Sequence, residues 1–143
     1  DSVKVSAGKI FFKRIDKLIK KQKSFAIEST LSGKYLISAI KQWKKLKYKV
    51  HIIYLYLDST NMAIERIKIR VKRGGHNIPD EDVIRRYKRS KNNFWNIYRG
   101  LVDDWELYYN GEEEFIKITI GSKNQYKIID EKLFNLFTRS ITI

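Results

Sequence analysis

Apolar and polar positions recur along this chain with two different periods, and the switches between them divide it into elements. From Ala7 to Gln22, Phe11, Ile15, Leu18 and Ile19 mark one helical stripe with lysines opposite. Ser24 to Glu28 is a short apolar run ending in a carboxylate, and it predicts a buried strand. From Gly33 to Lys47 the helical period returns through Leu36, Ala39, Ile40, Trp43 and Leu46. Lys49 to Leu57 is a continuous β-branched and aromatic run. A strand apolar on both faces is expected inside a parallel sheet covered by helices. Strand, helix and strand in this order predict a right-handed βαβ unit.

Asp58-Ser59-Thr60 offers capping residues for the next helix, which carries Arg66, Arg70 and Arg73 at i, i+4 and i+7. Like charges at that spacing repel by about 0.2–0.5 kcal/mol per pair. A row of guanidinium groups is better explained when an anion faces it, because Arg pairs bidentately with phosphate oxygens. Gly74-Gly75 ends this helix and Pro79 starts another, so the stretch reads as helix, hinge and helix. The second helix has a stripe of Val83, Tyr87, Ser90 and Phe94, with Arg85, Arg86, Lys88 and Arg89 beside it. Asn93 to Val102 continues it or forms a new short helix. Asn110-Gly111 predicts a two-residue hairpin between Trp105–Tyr109 and Phe115–Ile120. A second turn at Gly121 to Asn124 leads into Gln125–Ile129, and Glu131 to Ser140 predicts a closing helix.

Composition narrows the class. The 143 residues predict one domain spanning the whole chain, and 43% hydrophobic residues with one proline predict a packed core. No stretch approaches the ~18 uninterrupted apolar residues of a membrane span, and no leader pattern is present. With no cysteine and two histidines, thiolate and histidine-rich metal sites are excluded, and no metal ligands are assigned. Together these features predict a cytoplasmic protein without membrane contact. The formal charge of +14 predicts an anionic partner, either nucleic acid, a nucleotide or an acidic protein, or else lysines that solvate helix faces.

In an open α/β sheet, ligands lie beyond the carboxyl ends of the strands. Two such ends are readable, Glu28 to Lys34 and Leu57 to Thr60. Glu28 could orient a substrate hydroxyl or a magnesium-bound water, with Thr30 and Ser32 near a helix N-terminus that favours an anion. An ordinary capping turn explains the same spacing. The arginine row could equally pair with Glu65, Asp80, Glu81 and Asp82. His76 reads as a local hydrogen-bonding residue at the hinge. Ala7-Gly8-Lys9 is not a phosphate loop, because Val3 and Ile10 stand where that motif needs Gly and Ser or Thr.

Phe25-Ala-Ile-Glu-Ser-Thr-Leu-Ser-Gly33, the run from Arg66 through Arg70 and Gly74-Gly-His-Asn-Ile-Pro79, and Ile84-Arg-Arg-Tyr87 resemble the zeta-toxin-like P-loop kinases. They resemble most the bacterial branch labelled predicted ABC-type ATPases, over about Ala7 to Gly111. The resemblance implies an α/β, nucleotide-kinase-like three-layer fold with a parallel sheet, helices on both faces, an arginine-rich lid and antiparallel C-terminal strands. It implies ATP and Mg²⁺, phosphoryl transfer to a UDP-activated amino sugar, and a possible antitoxin partner. Glu28 and Thr30 match the family's substrate-side Glu-x-Thr element, with Ser32 beside them. Arg66 matches an arginine near the transferring phosphate. The place of the family's second arginine holds His76, with Arg70 and Arg73 close by. The expected catalytic set is thus Arg66, Arg70 and Glu28, and the expected lid set is Arg66, Arg70, Arg73, His76, Arg85 and Arg86.

The family's Gly-rich phosphate loop would precede Ala7, and the sequence starts at Asp1. The chain therefore reads as the substrate and lid part of a kinase, incomplete at its N-terminus and inactive alone. The competing reading is a basic nucleic-acid-binding module, or a polynucleotide-directed kinase.

Overall fold

The structure is a computed structural model that describes residues 2–111, 114–139 and 141, with side chains from Gly8 onward. Ser140, the expected last residue of the closing helix, lies outside these residues. The order of elements is α1 (Ser2–Lys20), α2 (Leu36–Lys45), β1 (His51–Tyr56), α3 (Thr60–Lys72) and α4 (Asp80–Asn93). A π-helical turn (Phe94–Tyr98) and α5 (Arg99–Leu101) extend α4. The chain then forms β2 (Asp104–Asn110), β3 (Phe115–Ser122), β4 (Gln125–Ile128) and α6 (Glu131–Thr138).

The fold is mixed α/β, with one four-stranded sheet in the order β1-β2-β3-β4. β1 runs parallel to β2, while β2–β3 and β3–β4 are antiparallel. The parallel pair is linked by the long path through α3, α4 and α5, as a crossover requires. The expected βαβ unit is different and does not form. Residues 24–28 are no strand, and among the described residues no backbone hydrogen bond joins them to β1. Their alternation survives, because Phe25 and Ile27 are half-buried while Ser24, Ala26 and Glu28 are exposed. Side chains anchor the segment instead. Tyr48 Oη donates to the Lys23 carbonyl, Asn93 Nδ2 to Leu31 O at 2.8 Å, and Tyr98 Oη to Gly33 O at 2.7 Å.

The core gathers Ile15 of α1, Leu36, Ile40 and Trp43 of α2, Tyr54 and Tyr56 of β1, Trp105 and Leu107 of β2, and Phe134 and Phe137 of α6. Tyr54 stacks on Phe94 with ring centroids 4.3 Å apart and planes 10° from parallel. Such offset aromatic contacts add about 0.5–1.5 kcal/mol to the gain from burial. Helices on both faces, as expected for three layers, are not what the described residues form. On β1 only the even positions face the core, whereas Ile53 is 61% exposed and Leu55 48% exposed. An apolar run marks the surfaces that could be covered; it does not supply the element that covers them. Further across the same face, Glu106 accepts from Lys117 Nζ at 2.7 Å and Tyr108 Oη at 2.7 Å. On that open face β2 and β3 thus set Glu106, Tyr108 and Lys117 beside Ile120, and β1 sets Ile53 and Leu55 beside His51.

The first hairpin also differs from expectation. Asn110 is the last residue of β2 and pairs with Phe115, and the connection runs from Gly111 to Glu114. Gly111 N–H donates to Glu114 O at 3.1 Å. The carbonyls of Asn110 and Gly111 are taken by the Arg66 guanidinium, which fixes this end of the hairpin from outside. The second turn forms as expected, with Lys123 at a positive φ of 52° between β3 and β4.

A candidate site along the free edge of β1

A cleft of about 560 Å³ runs along the unpaired edge of β1. It is lined by β1 and by the irregular segment Ile27–Leu31, with further residues from α2, α3 and α4. Several features bring the walls into position. Ser59 Oγ caps α3 by accepting from Met62 N–H at 3.2 Å, which starts that helix directly after the strand. Gly74 has φ of 88°, and Gly75 N–H bonds back to Arg70 O at 2.9 Å, ending α3 in a left-handed turn. Pro79 is the N-cap of α4, one position earlier than its expected first helical residue. Tyr87 Oη then donates to Leu57 O at 2.6 Å and Tyr54 Oη shares a 2.8 Å bond with Ser90 Oγ. These bonds lay α4 along β1 with its N-terminal half at the strand's carboxyl end.

Of the residues expected in the site, Glu28, Thr30, Arg70 and Arg86 line this cleft together. Ser32 is one step away, its hydroxyl 2.8 Å from Thr30 Oγ1. Leu31, between them, is buried at a positive φ of 52°. A non-glycine residue there costs of order 1–3 kcal/mol, and such residues cluster where a ligand clamp is held. The Asn93 amide on its carbonyl, and its own N–H on Ser29 Oγ at 3.1 Å, hold it in place.

The remaining arginines are dispersed, so the row seen in sequence does not act as one face. Arg66 lies outside the cleft, with Nη2 donating to Asn110 O at 2.9 Å and to Gly111 O at 2.8 Å. Arg73 is the C-cap of α3 and is exposed. His76 is exposed, and its carbonyl accepts from Arg70 Nη2 at 3.2 Å. Arg85 pairs with Asp82 on the surface of α4. Helical spacing aligned these side chains, but the end of the helix and the nearby carbonyls separate them.

Two buried groups beside the cleft were not singled out from sequence. Lys91 is 3% exposed, with its ammonium over the rings of Tyr56 at 4.8 Å, Phe137 at 5.2 Å and Tyr87 at 5.7 Å. Burial lowers its pKa to about 8. The signal was present, since Lys91 stands four residues after Tyr87 on the stripe of Val83 and Phe94. Tyr54 is the other; burial raises its phenol well above the ordinary tyrosine range. It therefore acts as a neutral hydroxyl across the pH range where proteins work.

A cleft with two guanidinium groups, one carboxylate and the hydroxyls of Ser29, Thr30 and Ser90 suits a small phosphorylated or nucleotide ligand. Among the described residues no cluster of three metal-ligating side chains occurs. A magnesium ion carried by nucleotide phosphates needs only one or two carboxylates, so Glu28 could support one on the substrate side. The polyphosphate of ATP fits less well, because the 143 residues contain no Gly-rich loop to cradle it. No described helix is long and apolar enough to cross a membrane.

No family of known proteins matches the chain, and no solved structure does. It is 41% identical over 69 residues to an uncharacterized protein of Haemophilus influenzae, strain Rd, covering 48% of this chain and 49% of that one. The chain thus spans about half the length of this curated relative.

Proposed function

We propose that the chain is the substrate and lid part of an ATP-dependent small-molecule kinase of the zeta-toxin type, acting on a UDP-activated amino sugar in a nucleotide-kinase-like fold. The observation that supports the reading is the cleft itself: Glu28, Thr30, Arg70 and Arg86 come from three separate stretches and line one cavity. The carboxylate would orient the acceptor hydroxyl, and the two guanidinium groups would balance phosphate charge. Ser32 would support Thr30 through their 2.8 Å contact. Phosphoryl transfer also needs backbone donors around the nucleotide, which these residues do not supply, so the chain binds its acceptor without turning over.

The test is a titration of the isotopically labelled protein with a UDP-activated amino sugar. Resonances of Glu28, Thr30, Ser32, Arg70 and Arg86 are expected to move together at ligand levels within the ordinary Michaelis range of about 1 μM–1 mM. Glu28→Gln and Arg70→Ala should each weaken binding about tenfold or more. Absence of binding at several times that range, or shifts confined to other surfaces, overturns the proposal.

A second reading rests on the net charge of +14, which suits a polynucleotide. It requires affinity for oligonucleotides that falls steeply with salt. No binding at low ionic strength removes it.

A further inference from the structure

β1 is the edge of its sheet, and its own residues carry few of the usual protections of an edge. It contains no proline, charged lysine or bulge within His51–Tyr56, and it exposes Ile53 and Leu55. Its outer row of backbone donors and acceptors borders the cleft, because every residue from His51 to Tyr56 lines it. Across the cleft stands the irregular segment Ile27–Leu31, also without strand partners among the described residues. The lining between them includes the apolar side chains of Leu36, Ile40 and Trp43 from α2, so the free edge of β1 faces an apolar cleft.

We propose that this cleft accepts one extended, apolar β-strand from a partner polypeptide, bound parallel to β1 and carrying an acidic residue at its carboxyl end. The direction follows from charge. Arg86 adjoins Tyr87, which bonds to Leu57 O just past the carboxyl end of β1, and Arg70 lines the same cleft. Only one carboxylate, Glu28, offsets these two guanidinium groups in the lining. A strand running parallel to β1 brings its acidic end to them, and its main chain completes the ladder that β1 leaves open. Main-chain bonds would supply affinity, and the side-chain pockets and arginines would supply specificity. The inference goes beyond the kinase reading and does not depend on it, but both use Arg70 and Arg86, so a bound strand and a phosphorylated ligand exclude each other from the cleft.

The test uses fluorescein-labelled peptides of six residues, alternating valine and threonine and ending in aspartate, on the full 143-residue chain. Saturable binding is expected, with hydrogen exchange of the β1 amides slowed about tenfold or more. Methylating alternate backbone nitrogens should weaken the peptide at least about tenfold, since it removes the donors that form a ladder. Replacing the terminal acids by amides should weaken it severalfold, and Arg70→Ala with Arg86→Ala should abolish that difference. Absence of binding overturns the proposal, as does equal affinity for the methylated peptide. Doubling of mass with protection of β1 in the absence of peptide overturns it in favour of a second copy. None of these measurements involves a nucleotide or a sugar, so failure here leaves the kinase reading standing, and the reverse.

Discussion

The Arg66 guanidinium donates from one nitrogen to the carbonyl of Asn110, at 2.9 Å, across 44 residues of sequence. The same nitrogen reaches Gly111 O at 2.8 Å, so α3 and the β2–β3 connection are tied through one side chain. Charged donors to carbonyls contribute about 1.5–3 kcal/mol each when desolvated, less where the group is half-exposed. Arg66→Ala is therefore expected to cost about 1–2 kcal/mol and lower the denaturant midpoint without changing its slope. Faster amide exchange at Gly111 should accompany it. A midpoint within error of the parent would mean that these bonds merely replace water.

Lys91 gives the protein an alkaline signature. Its pKa is about 8 in the folded chain and about 10.4 when unfolded, so between these values the unfolded state binds more protons. Stability from this group is expected to rise as pH increases from 8 towards 10. Above pH 10 the trend reverses, because the buried phenols of Tyr54, Tyr56 and Tyr87 hold their protons longer folded than unfolded. Lys91→Met should remove the rise and, at pH 7, stabilise the fold or leave it unchanged, on the order of 0–2 kcal/mol. Urea titrations at several pH values check this. A rise that persists in the variant would assign it to another group.

Asp103 works at the acid end. Its carboxylate lies 2.8 Å from Lys44 Nζ and accepts the Val50 N–H at 2.9 Å, joining α2, β1 and the start of β2. These two contacts hold its pKa below the ordinary carboxylate range. The stability it provides is complete above about pH 4 and is lost as pH falls through the lowered value. Asp103→Asn should cost about 1–2 kcal/mol at pH 7 and flatten the acid limb of the stability curve. An unchanged acid limb would show that other carboxylates carry it.

Gly121 is required by its neighbour. A Cβ at this position would come 2.4 Å from Trp105 Cζ2, and Trp105 is fully buried with its Nε1–H on Lys123 O at 2.8 Å. Gly121→Ala is expected to destabilise by about 1–3 kcal/mol through overpacking, with a shifted tryptophan emission maximum. A variant of parent stability and spectrum would mean the indole can move aside at no cost.

Most local structure was legible before any coordinates. The stripes of Phe11, Ile15 and Ile19 and of Leu36, Ile40 and Trp43 became α1 and α2. The cap at Ser59, the stop at Gly74-Gly75 and the turn at Lys123 also followed from the chemistry of single residues and their near neighbours. Such features depend on contacts within about one turn of chain, which periodicity reports directly. Glu28, Thr30, Arg70 and Arg86 could be named for the same reason, by residue type and local spacing.

Tertiary structure alone decided what depends on distant partners. Residues 24–28 have the alternation of a strand, but pairing is a property of two backbones, and side chains of Asn93, Tyr98 and Tyr48 anchor this region elsewhere. The arginines at i, i+4 and i+7 share a helical spacing, but the carbonyls of Asn110 and Gly111, remote in sequence, take one of them out of the row. The burial of Lys91 is likewise set by rings from β1, α4 and α6 converging on it. The sequence by itself determined the elements and the stock of charged groups. Long-range packing determined which charges meet, because the energy of a guanidinium or an ammonium is set by what lies within a few ångströms of it in space, and not along the chain.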